Sequence, residues 1–136
     1  MTRLAILGAS GHGKVVADTA LAPGYDAVFF FDDAYPARSR VHPWTVSGTS
    51  RDLLARVKEF DGILVGIGDN DTRWRKHVTL REAGGAVAVL IHPRAWVSPN
   101  ALLGAGTVVV GGAVVNIGAR LGEANILNTA ATVDHD

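Results

Sequence analysis

The sequence predicts a small α/β unit built on a parallel sheet, residues 1–93, followed by a parallel β-helix over residues 94–136. Two changes of pattern carry this. Up to Pro93, short apolar runs alternate with segments of helical periodicity, which is the grammar of a parallel sheet covered by helices on both faces. Beyond Pro93 the helical period vanishes and a period of six replaces it. A third observation concerns ligands: the glycine-rich stretch GASGHGK, Gly8 to Lys14, separates the first apolar run from the first helical segment.

The elements follow in order. RLAIL reads as a buried strand. After the glycine stretch, Val15, Val16, Thr19, Ala20 and Leu21 form a helical stripe, stopped by Pro23-Gly24. AVFFF is a second strand and ends at Asp32-Asp33. YPARSRVHPW reads as surface loop, and Thr49 or Ser50 caps a helix through RDLLARVKEF. GILVGIG is a third strand. Asp71 or Asn70 caps the helix TRWRKHVTLREAG, which Gly84-Gly85 ends, and AVAVLI is a fourth strand closed by His92-Pro93. From Ala95 the chain divides into AWVSPN, ALLGAG, TVVVGG, AVVNIG, ARLGEA, NILNTA and ATVDHD. The third column holds Val97, Leu103, Val109, Val115, Leu121, Leu127 and Val133, all aliphatic; the first column is short throughout. One aliphatic side chain per six residues points inward, and stacked turns align these into one core. A sandwich of strands would instead alternate in twos.

Composition narrows the function. Thirteen basic residues balance thirteen acidic ones, so no basic field favours nucleic acid. The absence of cysteine excludes disulfides, thiolate zinc sites and thiol catalysis. No apolar run approaches the roughly 20 residues of a membrane span, and no signal peptide is visible. A cytoplasmic location with no membrane partner is the expectation. Histidines do not fall in metal-ligand pairs, so no metal is expected; Trp44, Trp74 and Trp96 read as packing residues.

The segments GASGHGK (8–14), FDD (31–33), GIGDNDTR (66–73), IHPRAWVSP (91–99) and ILNTAATVDHD (126–136), taken with the hexads, resemble the bacterial sugar O- and N-acyltransferases of the sialic-acid and bacillosamine type. These include the N-acetyltransferases of nucleotide-linked 4-amino sugars. The resemblance implies a Rossmann-like nucleotide-sugar domain and a left-handed β-helix in which three hexads make one coil. It also implies acetyl-CoA as acyl donor, a homotrimer with the acetyl-CoA site between subunits, and further coils beyond Asp136. On that basis the 136 residues are expected to bind a nucleotide-linked amino sugar with little or no turnover, and their exposed coil end to pair with another chain or fray.

For the site, the resemblance implies that Gly8, Ser10, Gly11, His12 and Gly13 receive the sugar-nucleotide diphosphate. Backbone N–H groups at a helix start suit that charge. Lys14 either adds charge or is solvated. Asp32 and Asp33 follow strand two, where an acidic residue reaches a ribose or base, and Gly68 ends strand three at the same crevice. Asp69 and Asn70 read as helix caps. His135 matches the family's general base, Asp136 an acidic partner for it, although a family member carries Glu there, and Asn128 an asparagine close to the substrate. UDP is the expected nucleotide; guanosine, thymidine, the sugar and N- versus O-acetylation stay open. Two other classes compete: a non-catalytic sugar-nucleotide-binding or assembly module, and an NAD-dependent oxidoreductase, whose G-x-G-x-x-G fingerprint the loop does not spell.

Overall fold

The computed structural model describes residues 1–136. Three strands form a parallel sheet: β1 (Arg3–Leu7) lies between β2 (Ala27–Phe31) and β5 (Gly62–Val65). Strand alternation divides their side chains between two layers. Leu4, Ile6, Phe30 and Leu64 face α1 (Gly11–Leu21), where Val16, Ala17 and Ala20 meet them. Ala5, Leu7, Phe31, Ile63 and Val65 face Leu53 of α2 (Ser50–Ala55), Val57 and Phe60 of the 3₁₀ turn and its end, and Leu80 of α3 (Asn70–Glu82). Helices therefore cover both faces, as the alternating pattern requires. The stripe of α1 is rotated from its sequence reading: Val16, Thr19 and Ala20 are buried, while Val15 and Leu21 are exposed. Only a narrow strip of α1 meets the sheet, so the outer residues of an apolar cluster stay in water.

Between β2 and α2, the stretch expected as loop holds a two-residue hairpin, β3 (Arg40–Val41) with β4 (Trp44–Thr45). Trp44 packs on Phe30 at 5.8 Å. Thr49 caps α2 in a closed capping box with Asp52, and Asp69 caps α3 by accepting from the Thr72 N–H at 2.9 Å.

The run expected as a fourth strand is divided. Val87 bridges to Ile63 at the sheet edge, whereas β6 (Leu90–Ile91) pairs with β9 (Val108–Val109). The β-helix thus opens three residues before Pro93. Its strands are β7 (Trp96–Val97), β8 (Leu102–Leu103), β9, β10 (Val114–Val115), β11 (Arg120–Leu121), β12 (Ile126–Leu127) and β13 (Thr132–Val133). Trp96 pairs with Val114 and Val114 with Thr132, each three hexads on, so three hexads complete one turn. The aliphatic column converges with Ala95, Ala101, Ala113, Ala119 and Ala131 in one cluster. Val108 and Val110 point the other way and join Leu4, Ile6 and Val16, so one face of the β-helix completes the α1 layer.

The sixth hexad position is the corner that turns left. Gly106, Gly112 and Gly118 have φ of 81°, 79° and 83°, and Ala124 and Ala130 follow with 56° and 60°. An alanine there costs about 1–2 kcal/mol against glycine. Part of that is offset because glycine also frees the unfolded chain, by about 0.4–1 kcal/mol. Ala130→Gly is therefore expected to raise thermal stability by about 0.5–1 kcal/mol. Ala124→Gly should be near neutral, because the Ala124 methyl is buried and its packing, about 0.8 kcal/mol, is lost. Unfolding curves of the two variants check the difference.

Candidate functional site

A cleft of about 180 Å³ opens at the carboxyl ends of the sheet, lined by Leu7, Gly8, Ser10, Asp32, Asp33, Arg38, Ile67, Thr72 and Lys76. Ligands of parallel α/β sheets bind at this end. A cleft of about 440 Å³ lies at the opposite end, beside Thr2, Tyr25 and Asp61, where the strands begin. It holds none of the glycine-loop residues.

The glycine loop has two kinds of glycine. Gly8 has φ 115°, and a Cβ on it would meet Ile67 Cγ1 at 2.7 Å and the Gly66 carbonyl at 2.9 Å. A Cβ on Gly13 would overlap the Gly8 carbonyl oxygen. These two let α1 start against the β1 turn. Gly11 and Gly68 differ: a Cβ on either would meet nothing within 4 Å. Ser10 is the N-cap of α1, yet its side chain makes no cap bond and the first turn carries no acid. The Gly11, His12 and Gly13 N–H groups donate to no acceptor. Three open donors at the positive end of an 11-residue helix form an anion seat beside Ser10.

Both aspartates are occupied by the protein. Asp32 accepts from the Ala9 N–H at 2.8 Å and the Ala34 N–H at 2.8 Å, and faces Arg38 Nη1 at 3.5 Å. Asp33 accepts from the Ser50 N–H at 2.8 Å, the Ser50 hydroxyl at 2.6 Å and Lys76 Nζ at 2.9 Å. The Ser50 hydroxyl, with the Ser50 N–H and Lys76, draws the Asp33 pKa from 3.8 down to about 2. A depressed carboxylate stabilises the fold above its unfolded pKa and loses that contribution as pH falls through its folded value. Asp33 is therefore expected to contribute to acid unfolding between about pH 4 and pH 2. Acid titrations of wild type and Asp33→Asn should differ in that window and converge below it.

Arg38 and Lys76 stand on the cleft wall, and the sequence reading missed both. Their only signal was a loop arginine and a helix lysine, indistinguishable from solvated charges. Lys14 is exposed and forms no ion pair. His12 is half-buried outside the lining, its Nε2 without a partner. Burial, then the nearby Arg73 charge, lowers its pKa.

The β-helix residues separate. His135 and Asp136 lie together at the corner after β13, with His135 Nδ1 3.2 Å from Asp136 Oδ2 and side chains 69% and 84% exposed. The His135 N–H donates to Asp134, which Asn116 also contacts. Asn128 occupies the preceding corner, where its carbonyl accepts the Ala131 N–H at 2.9 Å, and its side chain is exposed. One chain does not bring Asn128 and His135 to the same corner. His92 accepts the Arg94 N–H at 3.0 Å and turns the chain into the β-helix. His77, on α3, is buried against Glu123 at 2.8 Å. Trp74 and Trp96, expected as packing residues, are 47% and 59% exposed.

Residues 3–80 match the family model described as PglD N-terminal domain. The acetyltransferase domain of PglB from Neisseria gonorrhoeae, solved with acetyl coenzyme A, is 44% identical with a TM-score of 0.91, over 98% of this chain and 65% of that one. PerB from Caulobacter crescentus, solved with CoA and GDP-perosamine, is 34% identical with a TM-score of 0.89, over 100% of this chain and 64% of that one. WeeI from Acinetobacter baumannii, at 17% identity and a TM-score of 0.81, over 100% of this chain and 65% of that one, shares the fold. The chain thus spans about two thirds of the length of these proteins. With the glycine loop, FDD and the Arg73 segment all inside the matched residues, the chain belongs to the PglD N-terminal domain family.

Proposed function

We propose that this chain supplies the sugar-nucleotide domain and the opening coils of an acetyl-CoA-dependent N-acetyltransferase acting on a nucleotide-linked amino sugar. The observation that supports the reading is the start of α1: three N–H groups without a protein acceptor follow Ser10, which lines a cleft whose wall carries Arg38 beside Asp32 and Lys76 beside Asp33. A diphosphate satisfies those donors. The likeness to PglB with acetyl coenzyme A and PerB with CoA and GDP-perosamine supports the acyl donor and the substrate class.

In this reading the sugar amine attacks the thioester carbonyl, the C–N bond forms, the C–S bond breaks and CoA departs. His135 Nε2 takes the amine proton. Asp136 Oδ2, beside Nδ1, favours the tautomer with hydrogen on Nδ1 and leaves Nε2 open. Gly8, Ser10, Gly11, His12 and Gly13 hold the diphosphate by backbone and by the Ser10 hydroxyl, while Asp32, Asp33 and Gly68 shape the crevice. Asn128 contacts the substrate from another copy, because it and His135 occupy different corners of one chain. The β-helix is read as left-handed and the assembly as a trimer; exposed Trp96, Leu102 and Ile117, at 59%, 61% and 60%, supply apolar surface for it. No helix is long and apolar enough to cross a membrane.

Calorimetric titration with UDP- and GDP-linked 4-amino sugars, with NAD as control, tests the reading. One of the sugar nucleotides should bind, NAD should not, and Arg38→Ala should weaken binding about tenfold. Binding of NAD with neither sugar nucleotide would overturn it.

A further inference from the structure

Arg73 is a cation where a helix does not favour one. It lies in the first turn of α3, at the positive end of the helix dipole, and is only 8% exposed. It forms no ion pair with a carboxylate at contact distance; Asp69 acts on it only from further away, and burial lowers its pKa. A buried guanidinium is costly unless its donors are met. Here they are met by four acceptors from two parts of the fold. Nη1 donates to the Ile67 carbonyl at 3.1 Å and the Gly68 carbonyl at 3.0 Å, and Nη2 to Asn70 Oδ1 at 2.6 Å. Nε donates to the Ala124 carbonyl at 2.9 Å, in a corner of the β-helix.

The Ile67 and Gly68 carbonyls belong to the loop after β5, whose Ile67 lines the cleft, and Asn70 opens α3 directly after it. The fourth lies 51 residues along the chain. We propose that Arg73 is a positioning residue that locks the β5–α3 edge of the sugar-nucleotide cleft to the β-helix, so that the two domains hold one orientation and a bound sugar is presented at a set place. The role attributed to presentation rests on the acetyltransferase reading above. Alongside it, Glu123 of the same corner accepts from Arg81 Nη1 at 2.8 Å through each oxygen and contacts His77 Nε2 at 2.8 Å. That second tie keeps the domains docked when Arg73 changes, so its removal loosens the angle rather than the fold. Lysine is no substitute: its donors share one nitrogen, whereas these four acceptors are reached from Nε, Nη1 and Nη2 of a planar guanidinium.

The test uses the full-length protein carrying Arg73→Lys or Arg73→Ala, compared with wild type. For both variants kcat on the amino-sugar nucleotide should fall at least about tenfold, with KM for acetyl-CoA and the Kd of the free nucleoside diphosphate within about threefold. A misplacement of about 1 Å suffices for such a loss. Amide hydrogen exchange should quicken together at residues 66–70 and at the corners around 105 and 124. The proposal is overturned if both variants keep wild-type kcat, if diphosphate affinity falls in parallel with kcat, or if exchange quickens at only one of the two segments. Exchange does not depend on the reaction. If wild type transfers no acetyl group, the function reading fails, while paired quickening would still support the lock.

Discussion

Replacing His135 with alanine is expected to lower kcat for acetyl transfer by about 10²–10⁴, the range of a lost general base. The side chain is 69% exposed and its ring contacts Asp136, so the fold does not depend on it. Stability should stay within about 0.5 kcal/mol, as for surface substitutions generally. Sugar-nucleotide affinity should be untouched, because the anion seat lies on α1 and not on the corner after β13. The measurement is steady-state kinetics on the full-length protein, together with calorimetry on the same variant. Asp136→Asn should cost less, since it keeps a hydrogen-bonding oxygen but loses the charge that supports the imidazolium. An unchanged kcat in His135→Ala would move the proton acceptor elsewhere and leave a sugar-nucleotide-binding module as the better account of these coils.

Gly13→Ala should be the most damaging single methyl in the α/β unit. Its Cβ would overlap the Gly8 carbonyl oxygen and press on the Phe30 ring at 3.2 Å. Neither can yield cheaply. The Gly8 N–H is fixed to the Phe31 carbonyl at 2.7 Å, and Phe30 is fully buried. Overpacking of this kind costs about 1–3 kcal/mol and occasionally more. A backbone atom is the obstacle, so the upper end is expected, with loss of sugar-nucleotide binding as the helix start is pushed from the loop. Gly11→Ala is the contrast. Its Cβ meets nothing, and alanine favours a helix by about 1 kcal/mol over glycine. It should hold or raise the melting temperature while weakening ligand binding, because on the proposed reading the diphosphate occupies that open space. Equal melting temperatures for the two variants would show that the loop has more freedom than its contacts indicate.

Much of this was legible in the sequence, because two patterns were. Apolar runs alternating with helical segments must form strands covered on both faces, and a period of six must stack one aliphatic residue per turn. The glycine loop was equally legible, since a strand meeting a helix within four residues leaves room only for glycine at Gly8 and Gly13. Local patterns of this kind depend on near neighbours, which the sequence orders directly. The division of residues 86–91 between sheet edge and β-helix was not legible: both partners, Ile63 and Val109, accept the same apolar run.

The sequence by itself therefore determined the two architectures and the glycine loop at the helix start, and it singled out His135 as the candidate base. Only the tertiary structure decided how those parts are used. It turned Asp33 toward Ser50 and Lys76, brought Arg38 to the cleft wall, parted Asn128 from His135, and led Arg73 across to Ala124. Each of these depends on where a side chain meets a group many residues away. That meeting is set by the packing of whole layers, and no period in the chain encodes it.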